Sequence, residues 1–149
     1  MITPKIVKRF DLTKTTFIIP LRIETADRMR NIITILIFLT RNFDTKIIVK
    51  EVDESSVYER EVLPILEQAL EPEWLECITH IFEKSDDFTF HRTKILNDML
   101  WMVDTPVVVN YDSDILLPLE TYINATNMIA KGCVHPDVEN GKPVKVIYP

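Results

Sequence analysis

Apolar positions in this chain switch repeatedly between a two-residue and a 3.6-residue spacing. Thr15 to Pro20 (Thr-Thr-Phe-Ile-Ile-Pro) reads as a first central strand, ended by a proline that has no amide hydrogen for the ladder. From about Glu24 to Leu39 the spacing is helical, with Met29, Ile32, Ile33, Leu36 and Leu39 on one stripe and Glu24 or Thr25 as cap. Thr45 to Val49 predicts a second strand, running on into Lys50-Glu51-Val52-Asp53-Glu54. A helix is expected over Glu59 to Leu70, started or interrupted by Pro64 and closed by Pro72. Cys77 to Phe82 reads as a third strand. Phe88 to Val103 opens with Phe90-His91-Arg92-Thr93-Lys94 and continues as a helix burying Ile95, Leu96, Met99, Leu100 and Val103. Asn97 lies among these, and a buried amide there needs partners. Val107-Val108-Val109 predicts a buried strand ending at Tyr111 and central in the sheet. Leu119 to Lys131 is a further amphipathic helix with Gly132 as C-cap, and Val144 to Tyr148 a last strand.

Strictly alternating strands and helices imply an α/β fold: a mostly parallel sheet with helices on both faces. Right-handed crossovers bring the carboxyl ends of all parallel strands to one edge, where open α/β sheets bind ligands. That edge collects Pro20 to Glu24, Glu51 to Asp53 and Asp112 to Asp114.

The 149 residues suit one domain, with no internal repeat or linker. A net charge of −6 argues against broad binding to nucleic acid or anionic membrane. Only two glycines are present, Gly132 and Gly141, so neither G-x-G-x-x-G nor a P-loop can be written. The longest apolar run, Ile35 to Leu39, is too short for a transmembrane segment, and Met1 to Lys14 lacks the apolar core of a signal peptide. Cys77 and Cys133 lie far apart and suit a reduced, cytoplasmic chain. Cys133-x-His135 has no further ligands near it to complete a zinc site. Asn124-Ala125-Thr126 matches a glycosylation acceptor by chance, inside a helix of a chain without an export signal. His80 reads as a packed core or edge histidine.

The chemistry concentrates in Asn110-Tyr111-Asp112-Ser113-Asp114. Two carboxylates at the end of a buried strand are costly unless they face a ligand or solvent. Hard oxygen donors at that edge suit a divalent cation, and the cation suits a phosphate. The competing reading is a solvated turn whose carboxylates cap the helix near Pro118. Arg28, Arg30 and Arg41 read as a solvated helix face. Arg22, at a strand-to-helix turn, is the better ligand contact.

Three segments in order resemble the nucleotide-sugar-binding half of a GT-A-fold glycosyltransferase. Phe17-Ile18-Ile19-Pro20 with its polar turn resembles the opening of family 2-type enzymes. Phe90-His91-Arg92-Thr93-Lys94-Ile95-Leu96-Asn97 resembles the F-x-R-x-K-x-L-N segment of β1,4-galactosyltransferases and chondroitin-polymerase-like enzymes. Val108-Val109-Asn110-Tyr111-Asp112-Ser113-Asp114, with Leu117-Pro118, resembles their metal-binding D-x-D segment.

The resemblance implies a Rossmann-like GT-A half over residues 1–149, without the acceptor-binding C-terminal half. It implies a nucleoside-diphosphate sugar as donor, a UDP-sugar by preference, and a sugar or glycan hydroxyl as acceptor. Pro20 and Arg22 would lie against base or ribose. Glu51 or Asp53 would accept hydrogen bonds from them. Arg92 would contact the nucleotide, with Asn97 buttressing the loop. Asp112 would touch ribose or metal, and Asp114 would bind Mn²⁺ or Mg²⁺ at the diphosphate. Two features depart from the pattern: the acidic patch reads Glu-Val-Asp-Glu-Ser-Ser, and Asp98 follows Asn97 where a glycine is common. After the last helix only Asp137 and Glu139 offer a carboxylate base, in a loop read as mobile, so donor binding is expected to exceed transfer. Apolar surface beside the last strand would favour self-association or a partner. The alternatives are a non-catalytic nucleotide-sugar-binding module and, less consistent with so few glycines, a nucleotidyltransferase.

Overall fold

A computed structural model describes residues 8–131 and the short strands at 138–139 and 142–143. Four parallel strands form one sheet in the order β3-β2-β1-β4: β1 (Phe10–Leu21), β2 (Phe43–Asp53), β3 (Ile78–Lys84) and β4 (Val107–Asn110). The helices are α1 (Ala26–Asn42), α2 (Leu63–Ala69), the one-turn α3 (Pro72–Leu75), α4 (Arg92–Leu100) and α5 (Leu119–Ala130). β5 (Val138–Glu139) and β6 (Lys142–Pro143) form a separate antiparallel pair, where the sequence reads as loop. Gly132, Cys133, His135, Asp137 and the strand expected over Val144 to Tyr148 lie outside the described residues.

Side chains alternate across the sheet as the strand period requires. Phe17, Ile19 and Leu21 of β1 join Ile47 and Val49 of β2 on one face, under Ile32, Ile35, Leu36 and Leu39 of α1, Leu66 of α2 and Tyr122 of α5. Ile18, Ile48 and Val52 face the other way and receive Ile95 and Met99 of α4. Helices therefore cover both faces, α4 alone on the second among the described residues.

Local chemistry explains most boundaries. Thr25 caps α1 by accepting from the Arg28 amide at 3.2 Å. The helix runs to Asn42, past the expected end, and Phe43 turns directly into β2. Pro20 does not end β1, which continues to Leu21. The Tyr111 amide donates to the Ile18 carbonyl at 3.0 Å, so Ile18, and Pro20 two residues on, point their backbone groups toward β4. β4 has ended by then, and no partner needs the hydrogen that Pro20 lacks. Pro64 sits in the first turn of α2, behind a π-helical turn over Tyr58–Val62, and Pro72 opens α3 where a helix end was expected.

One expectation is overturned. β4 is not central: among the described strands it is the last, paired to β1 alone. Val107 is buried, Val109 half-buried and Val108 39% exposed. A valine run reports strand propensity, and burial on both faces does not follow from it. The centre belongs to β1 and β2.

Candidate functional site at the carboxyl edge of the sheet

Asp112 and Asp114 follow β4 at the edge where the parallel strands end. Neither caps α5: the N-cap position is Pro118, and no side chain bonds the first turn. Asp114 is exposed, and its side chain has no hydrogen bond or ion pair among the described residues. Asp112 is half-buried and meets Arg92, whose Nη2 lies 2.5 Å from Oδ1 and also donates to Asn110 Oδ1 at 3.1 Å. Arg92 is the first residue of α4, which has no side-chain cap, so the positive end of that helix also lies at this edge.

The loop carrying the carboxylates is held by two tyrosines that the sequence reading passed over. The Leu117 amide donates to Tyr122 Oη at 3.0 Å. Tyr111 Oη donates to the Ile115 carbonyl, so in the Tyr111–Tyr122 contact the proton comes from Tyr122. Burial, then the bond with Tyr122, pushes the Tyr111 hydroxyl far above the ordinary tyrosine range. These phenols act as neutral struts.

At the end of β2 the two candidate carboxylates part company. Glu51 is fully buried. Its Oε1 accepts from the amides of Val57 and Tyr58 at 2.9 and 3.1 Å. Its Oε2 accepts from Ser56 Oγ at 2.6 Å and lies 3.1 Å from His80 Nε2. His80 stacks on Tyr58 with centroids 4.0 Å apart, the packed histidine expected from the sequence. Glu51 thus caps the turn leading into α2. Asp53 stays half-buried at the rim, taking the Glu54 amide at 2.8 Å, while its carbonyl takes the Ser85 amide at 2.9 Å.

Burial by itself would raise the Glu51 pKa, but the bonds from His80, Ser56 and the two amides outweigh it and hold the group below its ordinary value near 4.5. A folded-state pKa below the unfolded one gives stability that is complete above the unfolded value and lost as pH falls through the folded one. Glu51→Gln is therefore expected to lower the melting temperature at neutral pH, with the gap to the parent closing below about pH 4. Melting curves of both proteins from pH 7 to 3 test this, and a gap of constant size rejects it.

Arg22 is 7% exposed and braces the edge. Its Nε donates to the Val52 carbonyl at 2.8 Å and Nη1 to the Phe88 carbonyl at 3.1 Å, with the guanidinium 5.4 Å from the centre of the Phe90 ring. Pro20 is buried beside it. Arg92, Asp53, Asp112 and Asp114 thus lie at one edge of the sheet. Glu51 is turned inward. Asn97 is exposed, its side chain makes no hydrogen bond among the described residues, and it does not buttress the loop. The buttress is Lys50 instead, 5% exposed, with Nζ 2.7 Å from Glu83 and 3.1 Å from Asp98 of α4. Burial opposes the Lys50 charge, yet the bonds from Glu83 and Asp98 prevail and raise its pKa. A lysine inside the apolar run of Ile47 to Val52 was the available sequence signal.

Among the described residues no three His, Cys, Asp or Glu side chains are placed to share a metal ion. Asp112 and Asp114 offer two hard oxygen donors at an open edge. That donor set fits Mg²⁺ or Mn²⁺ completed by water and phosphate oxygens, and does not fit a closed structural site.

No protein-family model matches the chain. No curated protein matches it either. No helix among the described residues is long and apolar enough to cross a membrane.

Proposed function

We propose that this chain is the donor-binding part of a metal-dependent glycosyltransferase of the GT-A type, with a nucleoside-diphosphate sugar, a UDP-sugar by preference, as its ligand. The observation that supports this most is the acidic pair itself. Asp112 and Asp114 end a parallel strand, cap no helix, and have Arg92 beside them. A carboxylate pair with an arginine at hand suits a diphosphate that arrives with a divalent ion. Asp53, left at the rim, suits a hydrogen bond from base or ribose. Arg22 acts from beneath by fixing the Phe88 backbone, and Pro20 packs behind it.

A divalent ion held by Asp112 and Asp114 would supply positive charge where the leaving diphosphate gains negative charge. The chain's own contribution is orientation: Arg92 for the phosphates, the tyrosine struts for the carboxylate loop, and Lys50 for the seat of α4.

The test is a thermal-shift panel of nucleoside diphosphates and their sugars, with and without Mn²⁺. The melting temperature is expected to rise with nucleotide and metal together and to move little with either alone, because ligand binding to the folded state stabilises by mass action. No shift with any nucleotide at millimolar concentration plus Mn²⁺ rejects the reading. Sugar release from a bound UDP-sugar marks an enzyme, retention of intact donor marks a binding module, and pyrophosphate release marks a nucleotidyltransferase.

A further inference from the structure

We propose that Phe88 is the stacking surface for the nucleobase of the ligand held at the carboxyl edge. This rests on the donor-site reading and adds the residue that recognises the flat end of the donor.

Phe88 is 99% exposed, and among the described residues no ring or cation stacks on it. Its backbone, by contrast, is firmly tied. The Phe88 carbonyl accepts from the buried Arg22, which also bonds the end of β2 through the Val52 carbonyl. On either side the Asp87 amide donates to Ser85 Oγ at 3.2 Å and the Thr89 amide to Asp87 Oδ1 at 2.9 Å. His91 Nε2 lies 2.8 Å from Asp87 Oδ2, and the Ser85 amide reaches the Asp53 carbonyl. The loop between β3 and α4 is thus anchored to the ends of both central strands, and it carries an uncovered aromatic ring three residues past the Ser85–Asp53 bond.

A single exposed apolar side chain needs no explanation in general. Position distinguishes this one. Trp101 is 92% exposed as well, but it follows the far end of α4. There Asp104 pairs with Lys46 and Thr105 bonds Thr16, near the amino ends of the strands. Of these two almost fully exposed aromatic rings among the described residues, Phe88 is the one on the loop at the edge that carries Asp53, Arg92 and Asp112. Every base has a π-face, so a fixed aromatic ring gains affinity from stacking without reading base identity, while Asp53 can accept from the base edge or ribose. The anchored backbone fixes where the ring is carried, so binding has to order only its side-chain torsions.

The experiment is calorimetric titration with Mn²⁺ present, using UDP, UDP-glucose and inorganic pyrophosphate, on the parent, Phe88→Ala, Phe88→Trp and Trp101→Ala. Phe88→Ala is expected to weaken UDP by on the order of tenfold or more, to leave pyrophosphate unchanged, and to be restored by Phe88→Trp. Trp101→Ala should bind as the parent does. Three results overturn the assignment: Phe88→Ala binding UDP like the parent, pyrophosphate weakened equally, or a loss confined to the added affinity of UDP-glucose over UDP, which would place the ring against the sugar. A parent that binds neither UDP nor pyrophosphate rejects the donor site itself, and this inference with it.

Discussion

Asp114→Asn is expected to abolish Mn²⁺-dependent nucleotide binding while the free protein melts as before. The two halves of that expectation have separate causes. Asp114 is exposed and its side chain makes no bond among the described residues, so their packing does not draw on it. Substitutions at such surface positions stay within about 0.5 kcal/mol. Binding is another matter, because in the proposed site Asp112 and Asp114 are the two carboxylates that follow β4 and would hold the cation. Asparagine keeps the size and one oxygen but loses the charge that a hard cation requires. A loss of about a hundredfold or more is expected, since even residues behind the metal ligands typically cost 10–100-fold. Titration of UDP with Mn²⁺, beside a melting curve of the unliganded variant, checks both halves. A variant that binds like the parent removes Asp114 from the site.

Arg92→Gln is expected to move two affinities in opposite directions. Arg92 and Asp112 are each more than a third exposed, with side-chain exposures of 38% and 46%, so their ion pair adds at most about 1 kcal/mol to the fold. Without nucleotide the guanidinium competes with a cation for Asp112. Removing it should strengthen the binding of Mn²⁺ alone. With nucleotide present the same guanidinium is free to meet phosphate oxygens, a charged contact of about 1.5–3 kcal/mol, or roughly 10–100-fold. The variant should therefore bind Mn²⁺ better and Mn²⁺ with UDP worse. Manganese titrations followed by electron paramagnetic resonance, with and without UDP, measure both. Parallel changes in the two titrations would show that Arg92 serves only to shape the loop.

What the sequence disclosed divides along the length scale of the interactions. Strand and helix periods are local, so the β-α alternation and the parallel sheet could be read directly. The meeting of Arg92 and Asp112 at the carboxyl edge could also be read, because two carboxylates after a strand are poorly explained by packing. Glu51 and Asp53 could not be told apart. The difference is made by His80, 29 residues away, and by a turn whose amides happen to converge on Glu51. Arg22 looked like a ligand contact for the same reason: its acceptors, Val52 and Phe88, are 30 and 66 residues distant. Asn97 was misjudged because helical spacing placed it near the apolar stripe, one position from Asp98, the residue that meets Lys50. The valine run of β4 was read as central because composition does not say how many neighbours a strand has.

The unequal covering of the two sheet faces has a dynamic consequence. One face holds a large aromatic and aliphatic cluster, whereas α4 is seated by Ile95, Leu96 and Met99 in a smaller one with Ile18, Ile48, Val52 and Ile81, and with the Lys50–Asp98 bridge at its side. Segments with few buried apolar contacts open before the rest of a domain. Amide hydrogens of α4 should therefore exchange with solvent earlier than those of α1, in excursions that leave the remaining core intact. Each excursion carries Arg92 away from Asp112 and strains the Arg22-anchored loop before it. A ligand gripping Arg92 and Asp112 together would close that motion, so slowed exchange along α4 would report occupancy of the edge from a helix that mostly lies away from it.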